Sequence, residues 1–235
     1  MFLPIHAGRR EYTGFPTATT TIVAVNILVY AVEIYLYLVR GPDAWYATLK
    51  GWGFVPAMAI AHDGLPGLTA FTSMYLHGDP SHILFNMLYL WIFGPQVEDL
   101  TGAWPFFLFY TVCGLAGSAL TVLLDGGSML PHIGASSAIA GVLGSYLFLY
   151  PGQRVRTMIF PIPLFPQLPA WVLLAWWVIE QAVVGQLVLR LGLNDTGIGI
   201  WAHIGGFAMG ILAVYLFLRK DVIYNRESVF RLRRK

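Results

Sequence analysis

A serine pair and a histidine are the residues of this chain best suited to nucleophilic chemistry. Ser136 and Ser137 follow Gly134 at the start of an apolar segment, and His203 lies in a second apolar segment. A serine hydroxyl becomes a nucleophile when a nearby histidine accepts its proton, so the two residue types together suit acyl transfer. Each also has a structural interpretation, because serines begin helices, small residues line helix contacts, and a buried histidine can join two membrane helices by hydrogen bonding.

A second group of polar side chains is spaced as His77-x4-His82-x3-Asn86. The four-residue spacing puts His82 and Asn86 on one face of a helix. Two converging donors could stabilise an oxyanion in a low-dielectric site, and a hydrogen-bonded helix interface is the structural alternative. A zinc site built from His77, His82 and His203 is disfavoured, because the chain has no HExxH motif and no cysteine pair.

The composition indicates what kind of scaffold positions these groups. Of the 235 residues, 57% are hydrophobic and only 11% are charged. A soluble domain would have roughly a quarter of its residues charged. The composition therefore predicts a membrane protein, and its single cysteine, Cys113, excludes an internal disulfide.

Six apolar segments predict an all-α membrane protein, a bundle of six transmembrane helices. A hydrocarbon core of about 30 Å needs about 20 residues of helix, and five segments approach that length. Residues 135–150 are shorter and would span only about 24 Å, yet they are too apolar for a loop. In chain order the segments are 19–39, 81–97, 104–124, 135–150, 168–189 and 198–218.

The basic residues predict the orientation of this bundle. With the N-terminus inside, eleven of the fourteen Lys and Arg residues are inner, and only Arg40, Lys50 and Arg190 are outer. This bias follows the positive-inside rule and predicts that both termini are cytoplasmic. Residues 1–18 are too polar for a signal peptide, so we expect an uncleaved first helix. The expected organisation is a cytoplasmic tail (1–18), a six-helix domain (19–220) and a basic cytoplasmic tail (221–235).

The predicted orientation brings the polar groups to one side of the membrane. Segments two, four and six all run from outside to inside, so their starts, with His82, Ser136 and His203, lie toward the outer face. If the short fourth segment reaches the inner surface, Ser136 lies below the outer one. The loop above it would then dip into a water-filled cavity, the setting in which irregular backbone is tolerated inside a membrane.

Small residues predict how His203 reaches Ser136. Ala202, Gly206 and Gly210 recur at four-residue spacing beside His203 and form a face for close helix contact. The segment that begins at Ser136 offers a matching surface, which contains Gly134, Ala138, Gly141 and Gly144.

The connecting segments carry further expectations. Residues 41–80 are outer and apolar but interrupted by Gly and Pro, which favours an element lying in the membrane interface. Asp79 as N-cap and Pro80 as first helical residue should begin the second helix. Residues 154–169 hold four prolines and should form a constrained inner connector. For the intramembrane carboxylates Glu33 and Glu180 we favour hydrogen bonding or a protonated form over catalysis.

Taken together, these motifs resemble those of the rhomboid family of intramembrane serine proteases. The resemblance covers about residues 44–210, and its ordered motifs make it specific. The main matches are Gly134-Ala135-Ser136-Ser137, His77-x4-His82-x3-Asn86 and Ala202-His203-x2-Gly206. Supporting matches are Asn86-Met87-Leu88, Gly94-x3-Glu98-Asp99 and Arg154-Val155-Arg156 with Pro169-Ala170-Trp171, the last of which is similar to a prokaryotic branch.

The resemblance implies a role for each motif residue. Ser136 would be the nucleophile and His203 the base of a dyad, since no carboxylate is placed to orient the histidine. His82, Asn86 and the Ser136 amide would stabilise the oxyanion, and His77 would support the first outer loop. Gly134, Gly141 and Gly206 would be supporting packing residues.

The resemblance also implies the reaction and its setting. The substrates would be membrane proteins, cleaved in the bilayer near the outer ends of their transmembrane helices, after a small residue, without metal, cofactor or nucleic acid. With the predicted orientation, this implies a multi-pass protein of a prokaryotic plasma membrane whose site opens to the outer face.

Two residues depart from the family pattern. Ser137 replaces the glycine usual after the nucleophile, so either hydroxyl could attack. Ala140 stands where some members carry an aromatic ring that packs on the base. We expect Trp201 or the Gly206 face to hold His203 instead.

Two other functions compete with proteolysis. A rhomboid-like protein that binds membrane clients without cleaving them is the main alternative, although such proteins generally lack the serine or the histidine. A transporter would explain Glu33 and Glu180, but the chain has no inverted repeat and no pair of broken helices.

Overall fold

Helices dominate the computed structural model, which describes residues 2–8, 14–62, 64–159, 161–162, 164–190 and 199–224. Three short strands accompany them: β1 (Phe2–His6), β2 (Arg154–Ile159) and β3 (Gln167–Pro169). In chain order the helices are α1 (Thr17–Arg40), α2 (Pro42–Trp52), α3 (Pro56–Ile60), α4 (Pro66–Thr72), α5 (Pro80–Thr101), α6 (Ala103–Asp125), α7 (Ser136–Leu149), α8 (Ala170–Arg190), α9 (Ile200–Phe217) and α10 (Lys220–Tyr224), with a 3-10 turn at Ser73–Tyr75.

The six predicted segments coincide with α1, α5, α6, α7, α8 and α9, and their ends differ from the prediction by at most four residues. Within the described part of the chain, three helices are long and apolar enough to cross a membrane, namely α1, α6 and α9. Helix α7 and residues 170–183 of α8 are shorter apolar helices. Leu123 and Leu216 are about four-fifths exposed, at 78% and 81%, as expected of side chains that face lipid.

A small antiparallel sheet corrects the prediction of an all-α chain. Its strand order is β1-β2-β3, with Phe2 opposite Ile159 and Arg156 opposite Gln167. The signal was present in β2, where Val155 and Thr157 are buried while Arg154 and Arg156 are exposed, the alternation of a strand. The four prolines nearby led us to expect only a constrained connector.

The sheet also brings residues 2–8, from the segment expected to be a cytoplasmic tail, against the helices. Ala7, which follows β1, is buried, and its carbonyl accepts hydrogen bonds from Gln96 Nε2 at 2.9 Å and Tyr146 OH at 3.1 Å. Residues 2–8 are therefore part of the folded domain. Arg9 and Arg10, like the basic residues from Arg226 to Lys235, lie outside the described residues.

Helix α1 is fastened to α5 by the carboxylate of Glu98. Glu98 accepts hydrogen bonds from the Ala18 and Thr19 amides at 2.8 Å and from the Thr19 hydroxyl at 2.7 Å. These contacts satisfy helix-start amides that α1 does not cap with its own side chains. The start of α1 and the end of α5 therefore lie together at one end of the bundle.

The described residues between α1 and α5 include the three short helices α2, α3 and α4 and the 3-10 turn. The predicted start of the second long helix is confirmed, since Asp79 caps α5 by accepting a hydrogen bond from the His82 amide at 2.9 Å and Pro80 is the first helical residue. Phe54 forms a backbone bridge with His132, which joins this region to the loop before α7.

The closest helix contact is between α7 and α9, as the small residues predicted. A Cβ added at Gly206 would overlap the Ser137 carbonyl, and one at Gly210 would overlap that of Gly141. From the other side, a Cβ at Gly144 would overlap the backbone of Phe207. Backbone thus lies against backbone, and this contact sets the distance between the start of α7 and the start of α9.

Candidate active site

The turn before α7 has a shape that only glycine adopts easily. Gly134 has φ of +117°, and its amide donates a 2.9 Å hydrogen bond to the Ser73 carbonyl. A Cβ at Gly134 would lie 2.6 Å from His82 Nε2. The absence of a side chain therefore brings the backbone beside Ser136 close to His82. The first amides of α7, including that of Ser136, have no acceptor within the helix and can donate to a ligand.

Ser136 and His203 form the central contact of the site. Ser136 Oγ lies 2.7 Å from His203 Nε2, although the two residues are 67 positions apart. His203 is the fourth residue of α9, at the end of its first turn, and its amide donates to the Gly199 carbonyl at 3.0 Å. This distance suits proton transfer from the hydroxyl to the imidazole.

Ser137 points away from the histidine. Its hydroxyl lies 3.5 Å from the Gly114 carbonyl of α6, and the side chain is only 7% exposed. The two adjacent hydroxyls, which the sequence could not separate, therefore have different surroundings. Ser136 contacts His203, and Ser137 contacts the neighbouring helix α6.

His82 and Asn86 lie on one face of α5 beside the start of α7, as their spacing predicted. Gly134 is the shared neighbour, since a Cβ there would lie 2.6 Å from His82 Nε2 and 3.6 Å from Asn86 Nδ2. Asn86 is 7% exposed, and within the described residues its Nδ2 donates to no acceptor. A buried amide donor without a partner is rare and can serve a ligand.

His77 lies behind His82 and is fully buried. Its ring packs edge-on against the rings of Tyr30, at 6.4 Å, and His82, at 5.1 Å. Both oxygens of the buried Glu33 lie 3.2 Å from its backbone nitrogen, so Glu33 accepts the His77 amide hydrogen. Burial, with a smaller effect of His82, lowers the pKa of His77 to about 3, so this ring is neutral at physiological pH.

Two residues of α8 hold His203, and the sequence analysis missed both. Gln181 Oε1 lies 2.7 Å from His203 Nδ1, and the Trp177 ring lies 5.9 Å from the imidazole at 42°. Trp177, rather than the predicted Trp201, is therefore the ring that packs on the histidine, while Gly206 packs on the Ser137 backbone. Glu180, one of the two carboxylates predicted to lie within the membrane, is exposed and lines the cavity beside Gln181.

His132 is a further residue that sequence analysis did not single out. It lies four positions before Ser136 and lines the same cavity. Its backbone pairs with Phe54, donating at 2.7 Å and accepting at 3.0 Å. Burial lowers the pKa of His132, partly opposed by Asp125. The closeness of His132 to the serine motif in the sequence was the feature that could have identified it as a site residue.

Two cavities meet at Ser136 and His203. The first, of about 310 Å³, lies toward the loops. Polar and apolar side chains both line it, and Asp79, His82 and His132 are among the polar ones. It has room for several water molecules at about 30 Å³ each. The second, of about 350 Å³, opens between α5, α7 and α8 and is bordered by Phe85, Tyr89, Ala140 and Trp177. The second cavity is also lined by polar side chains, among them Asn86, Glu180 and Gln181.

A bundle of apolar helices, three of which among the described residues are long and apolar enough to cross a membrane, defines an integral membrane protein with a partly buried serine–histidine contact. The chain belongs to the Rhomboid family, since the model of the Rhomboid domain matches residues 67–220. Members of this family are intramembrane serine proteases that act on transmembrane substrates, so the match supports a protease.

Curated relatives agree with the family match. The chain is 34% identical over 184 residues to Rhomboid protein 1, mitochondrial, of Saccharomyces cerevisiae, and the match covers 76% of this chain and 50% of that protein. It is 33% identical over 141 residues to Rhomboid protease GluP of Bacillus subtilis, covering 60% of this chain and 26% of that protein. RHOMBOID-like protein 4 of Arabidopsis thaliana is 29% identical over 186 residues, covering 76% of this chain and 40% of that protein.

The chain therefore spans half or less of the length of these three relatives. They come from a yeast, a bacterium and a plant, so the comparisons assign the chain to the family without selecting its prokaryotic branch.

Proposed function

We propose that this chain is an intramembrane serine endopeptidase that cleaves transmembrane segments of membrane proteins near their outer ends. The observation that carries the proposal is the 2.7 Å contact between Ser136 Oγ and His203 Nε2. Ser136 is the nucleophile and His203 the general base. Ser137 is not the nucleophile in this assignment, because its hydroxyl is directed at the Gly114 carbonyl.

The first half of the reaction forms an acyl-enzyme. Ser136 Oγ attacks the scissile carbonyl while His203 Nε2 takes the hydroxyl proton. The negative oxygen that develops is stabilised by Asn86 Nδ2, His82 and the Ser136 amide. When the C–N bond breaks, His203 returns the proton to the leaving amine, and the acyl group remains on Ser136 as an ester.

The second half uses water from the loop-side cavity. A water molecule attacks the ester carbonyl as His203 accepts its proton, and the proton then returns to Ser136 as the C–O bond breaks. The polar lining by His82 and His132 supports this role. The cavity between α5 and α8 is the proposed place of the substrate segment, since it is bordered by the aromatic side chains of Phe85, Tyr89 and Trp177 and reaches Ser136 and His203.

The proposed membrane arrangement has six crossings, made by α1, α5, α6, α7, α8 and α9, with residues 41–80 lying in the outer interface. The pairing of β1 with β2 supports it, because an inner N-terminal segment and an inner α7–α8 connector must then lie on the same side. Helix α7 has fourteen residues, or about 21 Å, so a Ser136 sunken below the outer surface follows if α7 ends at the inner one.

The proposed location is a prokaryotic plasma membrane, with cytoplasmic termini and the site open to the outer face. The distribution of basic residues supports this orientation, and the match to GluP of Bacillus subtilis is compatible with a prokaryotic branch. The protease domain is proposed to be residues 19–220, to which the strand at residues 2–6 is attached, and residues 221–235 are proposed as a cytoplasmic tail.

Proteolysis in reconstituted vesicles tests the function. Purified wild-type protein and the variants Ser136→Ala and His203→Ala are mixed with a model single-span substrate, and fragments are separated by mass. We expect cleavage by the wild type and none by either variant. Cleavage by Ser136→Ala at the wild-type rate would overturn the assignment, whereas a wild type that binds substrate without cleaving it would indicate the client-binding alternative.

A further inference from the structure

We propose that Gln181 is a positioning residue that fixes the tautomer and the orientation of His203. This inference rests on the proposed function, because it concerns how the base of that reaction is prepared. The sequence analysis assigned no partner to the second nitrogen of His203. The structure puts Gln181 Oε1 2.7 Å from Nδ1 while Nε2 contacts Ser136.

The chemistry of the carboxamide oxygen determines the tautomer. An amide oxygen only accepts hydrogen bonds, so His203 Nδ1 must carry the hydrogen and donate it to Gln181. A neutral imidazole with its hydrogen on Nδ1 has a lone pair on Nε2. That lone pair faces the Ser136 hydroxyl, which is the state a general base requires.

A neutral acceptor suits the position of this contact. Gln181 lies within α8, on an apolar helix, and an ionised carboxylate there would be costly to bury. The amide oxygen supplies the orienting hydrogen bond without a charge. Gln181 thus performs the positioning part of the role that a carboxylate has in a Ser-His-Asp triad.

Trp177 restrains the same imidazole from one helical turn away. The four-residue spacing puts Trp177 and Gln181 on one face of α8, and Trp177 also packs against Phe207 of α9, with 5.8 Å between ring centroids. Ala140 of α7 supplies no ring. Helix α8 therefore holds His203 by a hydrogen bond and by a ring, and the conformation of the base depends on where α8 lies.

Matched substitutions separate positioning from packing. Gln181→Met keeps the length of the side chain and removes the acceptor, whereas Gln181→Glu keeps an acceptor oxygen at the same place. Val183→Met is the control, because Val183 is on the opposite face of α8 and 60% exposed. Each variant is purified, its folded fraction is measured by size exclusion and thermal unfolding, and cleavage is measured per folded molecule.

We expect Gln181→Met to lower kcat by about 10-fold to 100-fold with little change in KM, a loss comparable to that seen when outer partners of metal-binding histidines are removed. Gln181→Glu should stay within about 10-fold of the wild type, because a carboxyl group that is protonated at this apolar position keeps a carbonyl oxygen that accepts from Nδ1. Val183→Met should be unchanged. Equal kcat for Gln181→Met and the wild type would overturn the inference, as would equal losses in the Met and Glu variants.

Labelling by a fluorophosphonate distinguishes failure of this inference from failure of the proposed function. If the wild type neither cleaves nor becomes labelled, the proposed protease function itself is wrong. If the wild type does both and Gln181→Met matches it in kcat, only the role of Gln181 is wrong.

Discussion

Gly206 of α9 lies directly against the backbone of Ser137 in α7, so close that a Cβ at Gly206 would overlap the Ser137 carbonyl. This contact lies beside the 2.7 Å contact of Ser136 with His203. The glycine face therefore links packing to the candidate site, because the contact of the two backbones sets the distance between Ser136 and His203.

The first prediction concerns this packing. Gly206→Ala should push α9 away from α7, lower the unfolding free energy by about 1–3 kcal/mol and abolish most cleavage, since overpacking forces backbone shifts. Thermal unfolding in detergent and the cleavage assay measure the two effects. Gly51→Ala in α2 is the control, because no atom lies within 4 Å of the added Cβ. Wild-type activity in Gly206→Ala would show that the dyad does not depend on this contact.

Asn86 should affect catalysis without supporting the fold. Its Nδ2 is buried and, within the described residues, has no acceptor, so Asn86→Ala removes no resting-state hydrogen bond of that donor. We expect kcat to fall by about 10²–10³-fold, the usual loss for one oxyanion donor, with the melting temperature unchanged or raised. A variant that loses stability and keeps its kcat would make Asn86 a structural residue.

Glu33 should act on the site through His77. Glu33→Leu leaves the buried His77 amide without its acceptor, which should cost about 1–3 kcal/mol of stability and lower activity by loosening the support of His82. Glu33→Gln keeps an acceptor oxygen and should retain most of both. Thermal unfolding and cleavage rates check this pair of variants. Equal stability and equal activity of Glu33→Leu and Glu33→Gln would mean that the hydrogen bond from the His77 amide to Glu33 contributes to neither.

His77 should make stability depend on pH. Because burial lowers its pKa to about 3, the folded protein keeps His77 neutral, while the unfolded chain binds a proton below about pH 6.5. Stability should therefore fall as the pH falls from about 6.5 toward 3. The melting temperature of His77→Phe should fall less steeply than that of the wild type, whereas the exposed His62→Asn should follow the wild type. Parallel curves for all three proteins would contradict the prediction.

The sequence contained enough information for the helices and for the motif residues. Apolar segments located the six helices α1, α5, α6, α7, α8 and α9, and the four-residue spacings of small residues and of His82 with Asn86 located the contacts that meet at Ser136. These signals are local and periodic, so a single chain displays them.

Contacts between distant segments were less accessible. Gln181 is an ordinary polar residue in an apolar helix, and its value depends on the rotation of α8 relative to His203. The pairing of Phe2 with Ile159 joins residues that are far apart in the chain. The prolines near β2 concealed the alternation of buried and exposed side chains in that strand. The difference between Ser136 and Ser137 required the direction of each hydroxyl, which spacing does not specify.

The central claim is that Ser136, activated by His203, is the nucleophile, and the most direct test is to locate a covalent adduct. The wild type is treated with a fluorophosphonate, digested and sequenced by mass spectrometry, alongside Ser136→Ala, Ser137→Ala and His203→Ala. The account predicts an adduct on Ser136 in the wild type and in Ser137→Ala, and none in the other two variants. An adduct on Ser137, or labelling that persists in Ser136→Ala, would contradict it.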